Sequence, residues 1–172
     1  MQKALSVRLR TDINTKDIQN IIKWLNNENV TKYLNESPNA KDNLLYLLEN
    51  IQSHMLTFHL NRNGYFFLIC TGHDDEAIGF IRLIDLPGDR YEVVYVIGEE
   101  ELWGKGLGKA ALSKALEHVF FEKRGKAVLA KISHKNIRSV RTAVRCGMSH
   151  VKSGTNFTEY SVTFEDYIKK IV

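Results

Sequence analysis

A chain of 172 residues, 44% of them hydrophobic, is long enough to bury one sizeable core and short for two, so residues 1–172 are expected to form a single domain. Lys and Arg total 24 against 20 Asp and Glu, a formal charge of +4 with the bases scattered among acids, which mildly favours anionic ligands and gives no support to nucleic-acid binding. Cys70 and Cys146 follow neither metal-ligand nor redox spacing, no run is apolar enough to cross a membrane, and "MQKALSVRLRTD" lacks a signal-peptide centre, so a soluble protein of the reducing cytoplasm is expected.

"ALSVRLR" alternates apolar and polar residues at period two and predicts an opening strand. In "TKDIQNIIKWLNN" the apolar residues Ile18, Ile21, Ile22 and Leu25 share a helical face, with Thr15 as expected N-cap, Asn26-Asn27 as the stop and Trp24 in the core. "ENVTKYL" predicts a short second helix and "NESPN" a loop; "AKDNLLYLLENIQSHM" predicts a helix burying Leu44, Leu45, Leu48 and Ile51. The period then becomes that of strands. "YFFLICTG", "EAIGFIRLIDL" and "RYEVVYVIG" predict an antiparallel meander, its first turn at "HDDE", with Tyr65, Phe66, Phe67 and Phe80 as core. "LGKAALSKALEHVFFEK" has helical spacing and ends at Arg124-Gly125, "KAVLAKIS" is a strand, and "NIRSVRTAVRCG" is a helix closed by Gly147. "MSHVKSG" and "TEYSVTF" predict a last hairpin before a short basic tail, and no repeat or linker divides the chain.

Between the third meander strand and the following helix stands "ELWGKGLGKAAL". A strand, a glycine-rich turn and a helix N-terminus in that order make an anion site, because unpaired amides converge there and glycine admits a close approach. The nucleoside-triphosphatase loop G-x-x-x-x-G-K-[ST] is excluded: three residues separate Gly104 from Gly108, and Ala110 follows Lys109. A dinucleotide fingerprint can be laid on Gly106, Gly108 and Ala111, but "KAVLAKISHKN" brings no acid at the end of the next strand, and this reading ranks last.

In a third reading the segment resembles the pyrophosphate loop Q/R-x-x-G-x-G/A of the GNAT superfamily of N-acetyltransferases, with Gly106 and Gly108 as its glycines and Trp103 in the Gln/Arg place, a departure found in the RimJ/RimL-type branch. "NIRSVRTAVRCGM" is similar to that family's N-x-x-[AS]…G-F segment through Asn136, Ser139 and Gly147-Met148, and "VRLRTDINTKDIQNIIKWLNNENVTKYL" resembles the RimJ/RimL-type opening. The resemblance implies an α+β fold, a mixed, largely antiparallel central sheet of about six or seven strands with helices on both faces. It further implies acetyl-CoA as co-substrate, with direct transfer of acetyl to a primary amine.

On this resemblance the backbone of Tyr95, Val96 and Ile97 pairs with the pantetheine arm. The amides of Trp103, Gly104, Lys105, Gly106, Leu107, Gly108 and Lys109 hold the pyrophosphate, Asn136 and Ser139 border the pantetheine, and Lys123, Arg124 and Lys126 are candidates for the 3′-phosphate. Transfer needs a neutral amine, a place for the oxyanion and an exit for the thiolate. Glu92 is the expected base, against the alternative of an exposed strand carboxylate. The tyrosine that many members carry seven residues after the motif Asn is here Ala143, leaving Tyr160 or Cys146 as acid, or an unaided thiolate of pKa about 8.5. No paired histidines suggest a metal. The resemblance favours a peptide or ribosomal-protein N-terminus as acceptor, with a small amine such as an aminoglycoside or polyamine, or a CoA-binding module without transfer, as alternatives. Monomer and homodimer both stay open.

Overall fold

The computed structural model describes residues 6–72 and 75–172. A seven-stranded sheet runs in the order β1-β2-β3-β4-β5-β7-β6, built from β1 (Val7–Arg10), β2 (Gly64–Thr71), β3 (Ala77–Leu86), β4 (Arg90–Ile97), β5 (Ala127–Ser133), β6 (Ser149–Ser153) and β7 (Phe157–Thr163). Every neighbouring pair is antiparallel except β4 with β5. The parallel pair arises because the helix α5 (Leu107–Glu117) carries the chain back across the sheet, the crossover that parallel strands require. The expected mixed, largely antiparallel sheet is therefore what the chain forms. Ala4 and Leu5 of the expected first strand, and His73 and Asp74 of the first turn, lie outside the described residues.

Strand alternation sends side chains to two separate cores. On one face Val93 and Ile97 of β4 pack with Leu112, Leu116 and Val119, with Ala143 of α6 (Ile137–Arg145) and with Tyr167 of α7 (Phe164–Ile171). On the other, Phe66, Leu68 and Phe80 meet α1 (Thr15–Leu25), α2 (Glu28–Thr31), α3 (Ala40–Asn50) and α4 (Leu56–Leu60) through Ile18, Ile21, Trp24, Val30, Leu44 and Leu56.

Several boundaries differ from the sequence reading. The cap of α1 is Asn14, not Thr15: its side chain accepts from the Asp17 amide at 3.0 Å while Asp17 accepts from the Asn14 amide at 2.9 Å, a reciprocal box that Thr15 cannot make with this register. The third helix stops at Asn50, Ile51 turns to extended backbone, and α4 follows; within the helix Leu44 is buried, whereas Leu45, expected in the core, faces solvent. The basic tail is the amphipathic helix α7, capped by Thr163 and anchored by Tyr167.

Candidate active site

Parallel pairing of β4 with β5 is confined to Arg90↔Ala127, Tyr91↔Val128 and Glu92↔Leu129. Beyond Glu92 the two strands part, while β3 still holds β4 as far as Gly79↔Ile97 and β7 holds β5 as far as Ser133↔Phe157. The result is a wedge in the sheet that leaves one backbone edge of Val93–Ile97 without a strand partner. A cleft of about 780 Å³ occupies it, lined by Tyr95, Val96 and Ile97 on one side and by Ala130, Lys131 and Ile132 on the other.

The glycine segment closes one end of this cleft. Gly104 and Gly106 sit in left-handed backbone at φ +78° and +80° with open space where a side chain would stand, so a residue other than glycine would be strained at either place. Gly106 caps α5, and the first backbone bond of that helix runs from the Ala110 amide to the Gly106 carbonyl at 3.0 Å, so the Leu107, Gly108 and Lys109 amides precede the helical ladder. Gly108 is helical and serves a different need: a Cβ there would lie 3.2 Å from the Tyr95 ring. Gly104, Gly106, Leu107, Gly108 and Lys109 all line the cleft, with Trp103 beside them, whereas Lys105 is exposed beyond it.

Helix α6 supplies the facing wall. Asn136 caps it by accepting from the Ser139 amide at 3.2 Å, and both residues line the cleft. Burial pushes the pKa of the Tyr95 phenol up, and the nearby Ser139 and Thr142 side chains of α6 pull part of the way back. Ala143, where the resemblance expects a tyrosine, is 1% exposed and fully occupied in core packing.

On the opposite face of the sheet Glu92 is 9% exposed, accepting from Asn35 Nδ2 at 3.2 Å and Lys131 Nζ at 3.1 Å. It is not a solvent-facing strand carboxylate: it stands at the vertex of the wedge, behind two cleft-lining donors. Two further carboxylates share its face. Glu36 pairs with Arg82, and Glu159, 8% exposed and in register with Lys131, has the Lys152 ammonium 3.8 Å away. Glu36, Glu159, Asn35 and Lys131 carry no local motif, and sequence reasoning missed them.

Tyr160 is not brought to the cleft. It pairs with Ala130, packs on the α5 side of the sheet, opposite to Glu92, and meets His150 edge-on at 6.2 Å. Cys146 is buried against Ser113 and the Lys109 carbonyl, and burial raises its thiol pKa, which fits a packing role. Lys123 stacks over Tyr65 and Lys126 pairs with Asp89 at 3.0 Å, both at the closed end of the β4–β5 pair, so neither faces the glycine loop.

The sequence model of the family described as "Acetyltransferase (GNAT) domain" matches residues 7–149. The chain belongs to the GNAT acetyltransferase family. A protein of Methanocaldococcus jannaschii with no characterised activity is 29% identical to this GNAT-family chain over 97 residues, 55% of the chain and 19% of that relative, so the chain matches about a fifth of its length. A domain from the same organism superposes with TM-score 0.73 at 22% identity, covering 92% of this chain and 99% of that one. The spermidine N-acetyltransferase of Vibrio cholerae, solved with CoA and spermine, superposes with TM-score 0.75 at 20% identity, covering 96% and 98%. The aminoglycoside acetyltransferase AAC(6′)-Ib, solved with coenzyme A, does so with TM-score 0.71 at 14% identity, covering 98% and 99%. At these identities the likeness is one of fold.

Proposed function

We propose that this acetyltransferase moves acetyl from acetyl-CoA to a primary amine of a small polycationic acceptor, with Glu92 as general base. The observation that carries the acceptor class is the trio of shielded carboxylates, Glu36, Glu92 and Glu159, on the sheet face behind the wedge. A carboxylate withdrawn from water is costly unless a cation accompanies it. Glu159 is the least well accompanied of the three, its ion-pair partner being a 69%-exposed lysine at 3.8 Å, so an ammonium group of the acceptor gains most there. The spermine and aminoglycoside names borne by structural neighbours agree with this class without deciding it.

The residues fit the co-substrate. The strand edge of Tyr95–Ile97 suits an amide-bearing arm, and the bare glycine backbone with the Leu107, Gly108 and Lys109 amides suits a pyrophosphate. When bound, acetyl-CoA supplies a thioester whose C–S bond breaks as the acceptor nitrogen forms its C–N bond. Glu92 takes the proton that the nitrogen loses, and the departing sulfur, at a thiol pKa of about 8.5, takes its proton from water. A polyamine nitrogen with a lysine-like pKa of about 10.4 leans on a base more than a peptide α-amine of about 7.7–8.0 does, which suits the sheltered position of Glu92.

The test is CoA release measured with a polyamine, an aminoglycoside and peptides bearing free N-termini. Turnover of the polycations, with Glu159→Gln raising their KM several-fold at little change in kcat, is the expected result. Turnover of peptides alone would return the acceptor to the peptide N-terminus that the RimJ/RimL-type resemblance favours.

A further inference from the structure

At the entrance to the glycine loop stands Trp103, in the place that the loop's resemblance gives to Gln or Arg. Trp103 is fixed in place. Its indole Nε1 donates to the Ile97 carbonyl at 2.8 Å, and its ring packs against both cores of the protein. Over that ring lies the guanidinium of Arg138, 4.6 Å from the ring centroid. Arg138 is the second residue of α6, is exposed, lines the cleft, and makes no ion pair or side-chain hydrogen bond among the described residues. The stack thus bridges the glycine loop and the helix that faces it across the cleft.

We propose that Arg138 is a phosphate-binding residue of the cofactor cleft and that Trp103 is the platform that aims it. The physical case rests on what stacking uses and leaves free. A guanidinium lying over an indole is attracted by the ring's π surface and does not spend its N–H donors on that contact, so they stay available as the fork that fits a phosphate. Holding the long side chain before the ligand arrives lowers the entropy lost on binding. Arg138 thus brings a positive charge from α6 to the cleft that Leu107, Gly108 and Lys109 line from the other wall.

This inference rests on CoA as the bound co-substrate, and calorimetric titration separates the two. Wild-type protein that fails to bind CoA would overturn the cofactor reading and this assignment together. If wild type binds, Arg138→Gln is expected to raise the CoA dissociation constant about tenfold, the loss of one charge-assisted contact. That gap should narrow at high salt. Trp103→Leu is expected to do the same, and the double variant should be no weaker than either single one, because the two side chains act as a unit. Steady-state kinetics should place the effect of Arg138→Gln in the KM for acetyl-CoA with kcat retained, and melting temperatures near wild type would show that α6 still packs. A CoA dissociation constant within twofold of wild type for Arg138→Gln, or multiplying effects in the double variant, would overturn the assignment.

Discussion

Glu92 accepts from residues 57 and 39 positions away in the chain, and that separation explains why its surroundings escape the sequence. Its place on a strand is legible from the alternation of "RYEVVYVIG"; its burial is not, because Asn35 arrives from the loop after α2 and Lys131 from β5. Glu92→Gln keeps the size and both neighbours but removes the proposed base, so kcat with a polyamine should fall about a hundredfold or more while CoA affinity is kept, as initial rates and titration would show. Tyr160→Phe should leave rates near wild type, since that phenol lies on the other side of the sheet. A second buried charge tests stability instead of rate. Arg10 grips both carboxylate oxygens of Asp17, at 2.8 and 3.0 Å, and tethers β1 to α1. Arg10→Met would strand the Asp17 carboxylate, which is 4% exposed, and should cost about 3–5 kcal/mol in denaturant unfolding.

Elements were legible where a periodic stretch ends in its own chemistry, as α6 does between Asn136 and Gly147. They were less so where tertiary contacts break a run that continues on paper. The leucine-rich stretch from Ala40 reads as one long helix, yet the chain leaves helical backbone at Ile51 and re-enters it at α4, where Leu56 is fully buried. At α1 the difference is one residue, and Asn14→Ala should cost about 1 kcal/mol of stability where Thr15→Ala costs little. The glycine loop divides in a similar way: position 106 needs left-handed backbone, and position 108 needs the absence of a side chain beneath Tyr95. Gly106→Val should therefore lose about 1–2 kcal/mol of folding stability and most of its CoA affinity. At the other end of α5, His118 sits edge-on to Tyr65 and Phe67, beside Glu122 and Lys123, and burial lowers its pKa despite the Glu122 carboxylate 2.8 Å away. The unfolded chain then takes up the proton at higher pH than the folded one, so stability is intact above about pH 6.5 and falls as the pH drops below it. Melting temperatures of His118→Phe should be flatter than wild type between neutrality and pH 5.5.

At the scale of the molecule, the sheet and its two cores follow from the hydrophobic pattern, and the glycine segment with the Asn136 helix identified the family. The wedge could not be read from either strand alone. It exists because β3 and β7 go on pairing with the outer edges of β4 and β5 after those strands have stopped pairing with each other. Tying α1 and α2 to the same region, Trp24 donates to Glu99 at 2.8 Å and Asn27 to Glu100 at 2.6 Å, and Gly98 leaves room for the Trp24 ring, which a Cβ would meet at 2.2 Å. These contacts tie α1 and the residues before α2 to the segment that leads from β4 into the glycine loop. The role of Glu92 is tested most directly by the rate of CoA release from acetyl-CoA and a polyamine by wild type and Glu92→Gln, with CoA binding titrated for both. Wild type is expected to turn over far above the uncatalysed rate, and Glu92→Gln to lose that turnover while still binding CoA. Tight CoA binding with no turnover of any amine would contradict that role and leave a CoA-binding module without transfer activity.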